Sequence, residues 1–134
     1  MKHIFILVLA IQSISAFSQE NLQRSIYFQG GSFYIDEEQS AALRHWLDSI
    51  PNLLDKFQIQ LISHTDPIGG KMYNEWLSKM RSTSVRELLV EFDIPDQIIH
   101  TKDWGLEKPD YSNDTYRGMA MNRRVDVVLH PIVF

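Results

Sequence analysis

The sequence predicts an α/β (α+β) two-layer sandwich, in which one sheet packs against a layer of helices. Two segments carry apolar residues at intervals of three and four, which is typical of amphipathic helices. Other segments alternate apolar and polar residues, which is typical of half-buried strands. Because the helical and strand patterns follow one another along the chain, we expect a sheet layer and a helix layer.

The first 18 residues have the features of a secretory signal peptide. A short basic start precedes an apolar run from Ile4 to Ile11, and small residues at Ala16 and Ser18 suit cleavage after Ser18. An uncleaved anchor is the alternative interpretation. Residues 19–24 then form a polar lead-in, and residues 25–134 form the predicted domain, which is long enough to build one core. We therefore expect an exported protein.

Composition narrows the classes of partner. The formal net charge is −4 over 134 residues, and no Lys/Arg cluster is present. This balance argues against nucleic acid or anionic lipid as the main partner. The sequence has no cysteine, so it has neither a disulfide framework nor the lipid-acceptor cysteine of a bacterial lipoprotein.

The first half of the domain begins with a short predicted strand and an amphipathic helix. Ser25–Phe28 is the strand, and Gln29 to Gly31 is a turn. Asp36 and Gln39 have the spacing of a capping box. Apolar residues then recur at helical spacing from Ala42 to Leu54, although Pro51 bends or ends this helix.

The second half repeats the alternation. The predicted elements are a strand at Phe57–Leu61, a turn at Pro67–Gly70, a helix at Asn74–Phe92, a strand at Ile98–Trp104, a loop at Glu107–Thr115 and a strand at Arg124–Leu129. The last strand places Val125, Val127 and Leu129 on one face.

One charged pair stands out against this pattern. On a helical wheel with Leu77 at zero, Arg81 falls near 40°, in the middle of the apolar stripe. A buried arginine needs an anionic partner. Asp66 follows the end of the preceding strand, where ligands collect in α/β sheets. The pair could hold the ammonium and carboxylate of an amino acid, or the two could neutralise each other as a structural ion pair.

Four motifs resemble those of the OmpA-like peptidoglycan-binding domain family. The run from Ser63 to Gly69, continued by Asn74, Leu77 and Arg81, resembles the core motif of that family without a gap. The other three are Trp104–Pro109, which is similar to its G-x-E-x-x-P segment, Asn122–Val127, which is similar to its closing N-R-R-V-E strand, and Ile26–Phe28, which is similar to its opening strand.

This resemblance implies a mixed four-stranded sheet with helices packed on one face, and a place in the periplasmic cell envelope. It also implies non-catalytic binding of peptidoglycan through the diaminopimelate of its stem peptide, with envelope proteins, including those of the outer membrane, as further partners. Asp66 and Arg81 would hold the two ends of diaminopimelate. The further site residues implied are Thr65, Asn74, Leu77, Arg123 and Arg124, with the roles of the two final arginines left open.

Two positions depart from the family pattern. Gln29 stands where the family has an acidic residue, and Gly31 stands where it has an asparagine that reaches the ligand. Loss of a hydrogen bond to a charged group costs about 1.5–3 kcal/mol, so weaker binding or another stem peptide would follow. The alternative function is a periplasmic protein-protein interaction domain of the same fold, with Asp66 and Arg81 as a structural ion pair.

Other site classes have little support in the sequence. His64, Asp66 and His100 could be imagined as metal ligands, but His64 belongs to the family motif and no third ligand at helical spacing appears. Carboxylates are scattered and no nucleophile elbow is present, so we expect neither an enzyme nor a cofactor. Trp46 falls on the apolar face of its helix, whereas Trp76 falls near 260° on the wheel, where it could meet a sugar.

Overall fold

A computed structural model of the chain describes residues 22–105 and 109–133. The predicted signal peptide and residues 106–108 of the G-x-E-x-x-P segment lie outside the described residues. The elements in chain order are β1 (Gln23–Tyr27), α1 (Glu37–Asp48), α2 (Leu53–Lys56), β2 (Phe57–His64), α3 (Gly70–Glu91), a 3-10 turn (Asp96–Ile98), β3 (Ile99–Gly105), α4 (Tyr116–Asn122) and β4 (Arg124–Pro131).

The four strands form one mixed sheet in the order β1-β4-β2-β3. β4 runs antiparallel to both of its neighbours, β1 and β2, whereas β2 and β3 are parallel. The connection between the two parallel strands contains α3, which packs on β2, β3 and β4. The predicted mixed four-stranded sheet of a two-layer sandwich is confirmed.

The core lies between one face of the sheet and the apolar faces of α1 and α3. Its buried members include Leu43, Leu47, Ile59, Leu61, Val85, Leu89, Val125, Val127 and Leu129. Each such side chain contributes about 1.5–3 kcal/mol when it leaves water, so this layer supplies the main stabilisation. Trp46 packs against the core, as its helical position predicts, whereas Trp76 is exposed.

β1 begins earlier than the sequence pattern indicates. Gln23 and Arg24 pair with Val128 and Val127 of β4, so the last two residues of the predicted polar lead-in belong to the sheet. Their polar side chains are exposed and give no apolar signal. Backbone pairing with β4, which itself extends to Pro131, carries the strand through them.

The predicted capping box opens α1. Asp36 Oδ1 accepts a hydrogen bond from the Gln39 amide at 2.9 Å, while the Gln39 side chain accepts from the Tyr27 amide and donates to the Tyr27 carbonyl. Gln39 therefore joins the start of α1 to the end of β1. The helix stops at Asp48, before Pro51, and α2 is a separate turn after Asn52.

α3 starts at Gly70, four residues before the predicted start at Asn74. Gly69 and Gly70 both have positive φ, which only glycine adopts readily, and this turn sets the helix direction. The missed turn has exposed side chains and so lacks the apolar periodicity that marks the rest of the helix. Asp93, at φ 64°, directly follows Phe92, where the sequence predicts the end of this helix.

The sequence pattern misses α4, which is only seven residues long. Thr115 caps it by accepting from the Gly118 amide at 2.9 Å. Asn122, at its last turn, donates to the Tyr111 carbonyl and accepts from the Tyr111 amide, which fixes the preceding loop on the helix. α4 therefore sets the position of Arg123, the next residue.

Candidate ligand-binding site

The candidate site lies where β2 ends and the chain turns toward α3. Thr65 and Asp66 directly follow β2, and both are buried. Asn74, Leu77 and Arg81 share the buried face of α3, because residues three, four and seven apart stack on one side of a helix. The structure thus supplies this region from two neighbouring elements, as the sequence predicts.

Among the described residues, Asp66 accepts hydrogen bonds from Ile68 and Arg123. Its Oδ1 accepts from the Ile68 amide at 3.0 Å, which shapes the turn, and its Oδ2 accepts from Arg123 Nη1 at 3.2 Å. Arg123 Nε also donates to the Phe28 carbonyl at 3.0 Å. Arg123 therefore links the ends of β1 and β2, and it is the arginine of the closing motif that meets Asp66.

Arg81 is fully buried, at 0% exposure. Its Nε donates to the Ser32 carbonyl at 2.8 Å and its Nη2 to the Gln29 carbonyl at 3.1 Å, while the guanidinium carbon lies 5.1 Å from the Phe28 ring centroid. Burial lowers the pKa of Arg81 to about 10, with Asp66 opposing this shift and Arg123 adding to it. Arg81 stays charged at neutral pH.

Asp66 and Arg81 do not form the direct ion pair that the sequence left as an alternative. The ion pair of Asp66 is with Arg123, and Arg81 donates to backbone carbonyls of the segment 29–32. Asp66 is still close enough for its charge to raise the pKa of Arg81. Asp66 is thus accompanied by two arginines, Arg81 and Arg123, and these three side chains together carry a net charge of +1.

Several buried polar atoms here have no hydrogen-bond partner among the described residues. Those on predicted site residues are Thr65 Oγ1, Asn74 Oδ1, Asn74 Nδ2 and Arg81 Nη1; Ser63 Oγ and His64 Nδ1 are two more. A buried polar group without a partner costs about 1–3 kcal/mol, and nearly all such groups in folded proteins are paired with protein, water or ligand. These atoms lie at the end of β2 and on the facing side of α3, where they are left to pair with water or another polar molecule.

A cavity of about 540 Å³ opens beside Arg123. Its lining residues are Tyr27, Phe28, Gln29, Ser32, Tyr34, Asp36, Gln39, Ala120, Met121 and Arg123. The cavity brings together the end of β1, the start of α1 and the end of α4. A ligand held at Arg123 therefore has room to extend toward α1.

The two departures from the family pattern have a structural setting. Gln29 contributes its backbone carbonyl, which Arg81 binds. Gly31 has a φ of 68°, and a Cβ at this position would lie 3.3 Å from the Tyr73 hydroxyl. A side chain at position 31 would therefore strain the backbone and press on Tyr73. Sequence reasoning missed this contact, because it joins residues 42 positions apart (73 − 31).

Arg124 belongs to a different cluster from Arg123. Its Nε donates to Asp126 at 2.9 Å, its Nη2 pairs with Asp110, and its Nη1 donates to the Met121 carbonyl at 3.1 Å. Burial alone lowers the pKa of Arg124, but its bonds to Asp126 and Asp110 outweigh burial and raise it. Adjacent residues of an extended chain point to opposite faces, which separates the two arginines.

His64 lies in the same second cluster, with its Nε2 3.7 Å from Asp126 Oδ2. His64, Asp110 and Asp126 could offer three atoms to a metal ion within 4.8 Å of one another. Arg124 already pairs with both carboxylates, so a cation would have to displace it. The imagined set of His64, Asp66 and His100 does not assemble, because His100 lies beside Gln58.

Comparisons with known proteins now place this geometry in a family. The sequence profile of the OmpA family matches residues 27–123. The chain is 36% identical over 77 residues to the probable lipoprotein YiaD of Escherichia coli, covering 58% of this chain and 35% of that protein. It is 30% identical over 112 residues to the peptidoglycan-associated lipoprotein of Rhizobium meliloti, covering 81% of this chain and 61% of that protein.

The fold agrees with a crystal structure of the peptidoglycan-associated lipoprotein from Burkholderia pseudomallei. The TM-score is 0.69 at 29% identity, over 80% of this chain and 90% of that chain. The chain spans about a third to under half of the length of the first curated relatives, 35% and 45%. Among the described residues, no helix is both long and apolar enough to span a membrane.

The relatives are named as lipoproteins, outer-membrane proteins and porins. This relationship confirms the expected cell-envelope location and the expectation that the domain is a structural module rather than an enzyme. It also confirms the family resemblance that the four sequence motifs carry. The chain belongs to the OmpA family.

Proposed function

We propose that this chain binds the peptidoglycan stem peptide without catalysis, and that it thereby tethers or organises the cell envelope. The ligand group is the diaminopimelate head group, which carries an ammonium and a carboxylate. Asp66 accepts from the ammonium, and Arg81 donates to the carboxylate, with Thr65, Asn74 and Leu77 around them. Arg123 balances Asp66 and borders the cavity.

The observation that carries this proposal is the set of buried polar atoms for which residues 22–105 and 109–133 supply no hydrogen-bond partner. Thr65 Oγ1, both amide atoms of Asn74 and Arg81 Nη1 together offer donors and acceptors in one region. The local excess of one positive charge favours a ligand carboxylate, and a guanidinium binds such a group strongly. A zwitterionic head group carries an ammonium for Asp66 and a carboxylate for Arg81. The two side chains are close enough for the charge of Asp66 to act on Arg81.

Access to Arg81 requires a local movement. Arg81 is fully buried and donates to the carbonyls of Gln29 and Ser32. A ligand carboxylate reaches Nη1 when the turn 29–31 shifts away from the guanidinium, while Phe33 keeps its contact with α3. Gln29, Gly30 and Gly31 are exposed, so such a shift breaks few buried contacts.

The test is co-sedimentation of the purified chain with diaminopimelate-containing sacculi. We expect the parent to sediment, and Asp66→Ala and Arg81→Ala to lose at least tenfold in affinity, because each removes a charge-assisted contact of about 1.5–3 kcal/mol. Asp96→Ala is the matched control, since it removes an exposed carboxylate whose partner is Arg86.

Failure of the parent to sediment would refute the proposal, as would site variants that both sediment as well as the parent does. The alternative, a periplasmic interaction domain in which Asp66 and Arg81 neutralise each other, has less support because Asp66 pairs with Arg123 instead.

A further inference from the structure

Three aromatic side chains form an exposed group beside the candidate site, here named the aromatic ledge: Phe33, Tyr73 and Trp76. The Phe33 and Trp76 ring centroids are 6.0 Å apart with the planes at 88°, and those of Tyr73 and Trp76 are 5.7 Å apart at 37°. These are favourable aromatic pair geometries. The three residues are nevertheless 38%, 40% and 47% exposed, so the rings support one another and still present apolar surface to solvent.

The ledge is fixed to the body of the protein. Ser84 on α3 donates its hydroxyl to the Phe33 carbonyl at 2.7 Å, which holds Phe33 against the helix. The Tyr73 ring packs on the backbone of Gly69, where a Cβ would come within 2.3 Å of Tyr73 Cδ1. An ordered cluster of large apolar side chains in an exposed position marks an interaction surface on a small domain.

Tyr73 joins the ledge to the candidate site. Its hydroxyl lies beside Gly31, in the segment whose carbonyls accept hydrogen bonds from Arg81. Gly69 belongs to the turn that Asp66 shapes through the Ile68 amide. A molecule bound at Asp66 and Arg81 therefore has the ledge as its neighbour.

We propose that the aromatic ledge is a second subsite, which takes a pyranose ring of the glycan strand while the stem peptide occupies the Asp66 and Arg81 site. This inference rests on the proposed function. In peptidoglycan the stem peptide is attached to a sugar, and two to three extended residues span only about 7–11 Å. The sugar therefore stays close to a peptide that is held at Asp66.

The chemistry of the ledge suits a sugar ring. Aromatic faces are electron-rich, and the C–H groups on one face of a pyranose carry partial positive charge, so the two stack. None of the three side chains is charged, and Tyr and Trp each have a polar group that can meet sugar hydroxyls at the edge of the ring. Each of the three side chains is already more than half buried, so a sugar that covers it removes only a small further area from water.

The experiment compares two soluble probes by calorimetry with the full chain. One is a tetrapeptide containing diaminopimelate without sugar, and the other is the same tetrapeptide on its N-acetylglucosamine–N-acetylmuramic acid disaccharide. We expect the parent to bind the disaccharide form about three- to tenfold more tightly. Trp76→Ala removes this difference and leaves the affinity for the sugar-free peptide unchanged, whereas Trp76→Phe keeps most of it.

Val90→Ala is the matched control. Val90 lies on the same helix with a similar exposed fraction, 45%, and is about 21 Å along the axis from Trp76. We expect it to bind both probes as the parent does.

Equal affinity of the parent for the two probes would overturn the subsite while leaving the proposed function intact. So would a Trp76→Ala variant that weakens both probes equally, which would assign the ledge to the fold or to the peptide site. A Trp76→Ala variant that still prefers the disaccharide form would also overturn the sugar subsite, and it would favour a protein as the partner of the ledge. If the parent bound neither probe, the proposed function would fail and the subsite with it.

Discussion

Arg123, rather than Arg81, is the ion-pair partner of Asp66, with 3.2 Å between Arg123 Nη1 and Asp66 Oδ2. Arg81 instead donates to the carbonyls of Gln29 and Ser32, and its Nη1 has no hydrogen-bond partner in the part of the chain that the structure describes. The two arginines therefore have separate tasks. Arg123 balances the charge of Asp66 and ties the ends of β1 and β2, whereas Arg81 holds an unmatched positive charge beneath the segment 29–34.

This division predicts that Arg81 serves binding more than folding. In Arg81→Met, a side chain of similar length removes a buried cation and its desolvation cost. The carbonyls of Gln29 and Ser32 lie on a partly exposed segment, where water can replace the arginine. We expect the free energy of unfolding in urea to change by less than about 1 kcal/mol, or to rise, while sacculus binding is lost.

Arg86→Met is the control for this prediction. It breaks a surface ion pair with Asp96 on the same helix and should change neither quantity much. A loss of about 3 kcal/mol or more in Arg81→Met, with binding to sacculi retained, would show that Arg81 holds the fold instead.

Arg123 and Arg124, the neighbouring arginines of the closing motif, should differ in both urea unfolding and sacculus binding. Arg124→Met leaves Asp126 buried beside His64 without its guanidinium, and breaking a buried ion pair typically costs about 3–5 kcal/mol. In Arg123 the side chain is 21% exposed, so water can solvate Asp66 after Arg123→Met and the stability loss should be smaller.

Sacculus binding separates the two variants in the opposite order. We expect Arg123→Met to weaken binding, because it changes the charge beside Asp66, and a folded fraction of Arg124→Met to bind as the parent does. Equal stability losses in the two variants would contradict the separation of the arginines into two clusters.

The fold was largely predictable because its signals are local. The alternation of Val125, Val127 and Leu129, the capping box at Asp36 and the apolar stripe of α3 each lie within one element. Arg81 was also recognisable as a charge in an apolar stripe. Short or polar elements could not be recognised in the sequence. α4 has only seven residues, and the start of β1 is a strand because it pairs with β4.

The hydrogen-bond partners of the site residues could not be predicted from the sequence, for a different reason. Arg81 binds backbone carbonyls, and every residue type has one, so no residue identity marks Gln29 or Ser32 as a partner. The choice between Arg123 and Arg124 depends on which face of the chain each side chain takes at the start of β4. That depends on α4, which the pattern did not reveal.

The second cluster should make stability depend on pH. Burial, and next the charge of Arg124, lower the pKa of His64 below its ordinary value of 6.5, while Asp126 and Asp110 oppose the shift. The unfolded chain therefore binds a proton at His64 at a higher pH than the folded chain does. The free energy of unfolding should fall as the pH is lowered through 6.5 and level off below the folded pKa.

Urea unfolding at about pH 7.5 and about pH 5.5 tests this dependence. His64→Gln should lose less stability between the two values than the parent, because it removes the group with the lowered pKa. His100→Gln, a change at an exposed histidine beside Gln58, should keep the slope of the parent. A parent slope that His64→Gln leaves unaltered would assign the dependence to other groups.

The tight packing of α4 on its preceding loop gives a last prediction. A Cβ at Gly118 would lie 1.7 Å from the Ser112 carbonyl oxygen, so Gly118→Ala must push the backbone of the loop away from the helix. Overpacking of this kind costs about 1–3 kcal/mol. Because Arg123 directly follows α4, the displacement should also weaken sacculus binding.

Gly30→Ala is the matched control for Gly118→Ala, since a Cβ at Gly30 meets nothing within 4 Å, and its stability should stay within about 0.5 kcal/mol of the parent. Thermal unfolding and sacculus co-sedimentation of the three proteins measure both effects, and a Gly118→Ala variant as stable as Gly30→Ala would mean that the loop yields without cost.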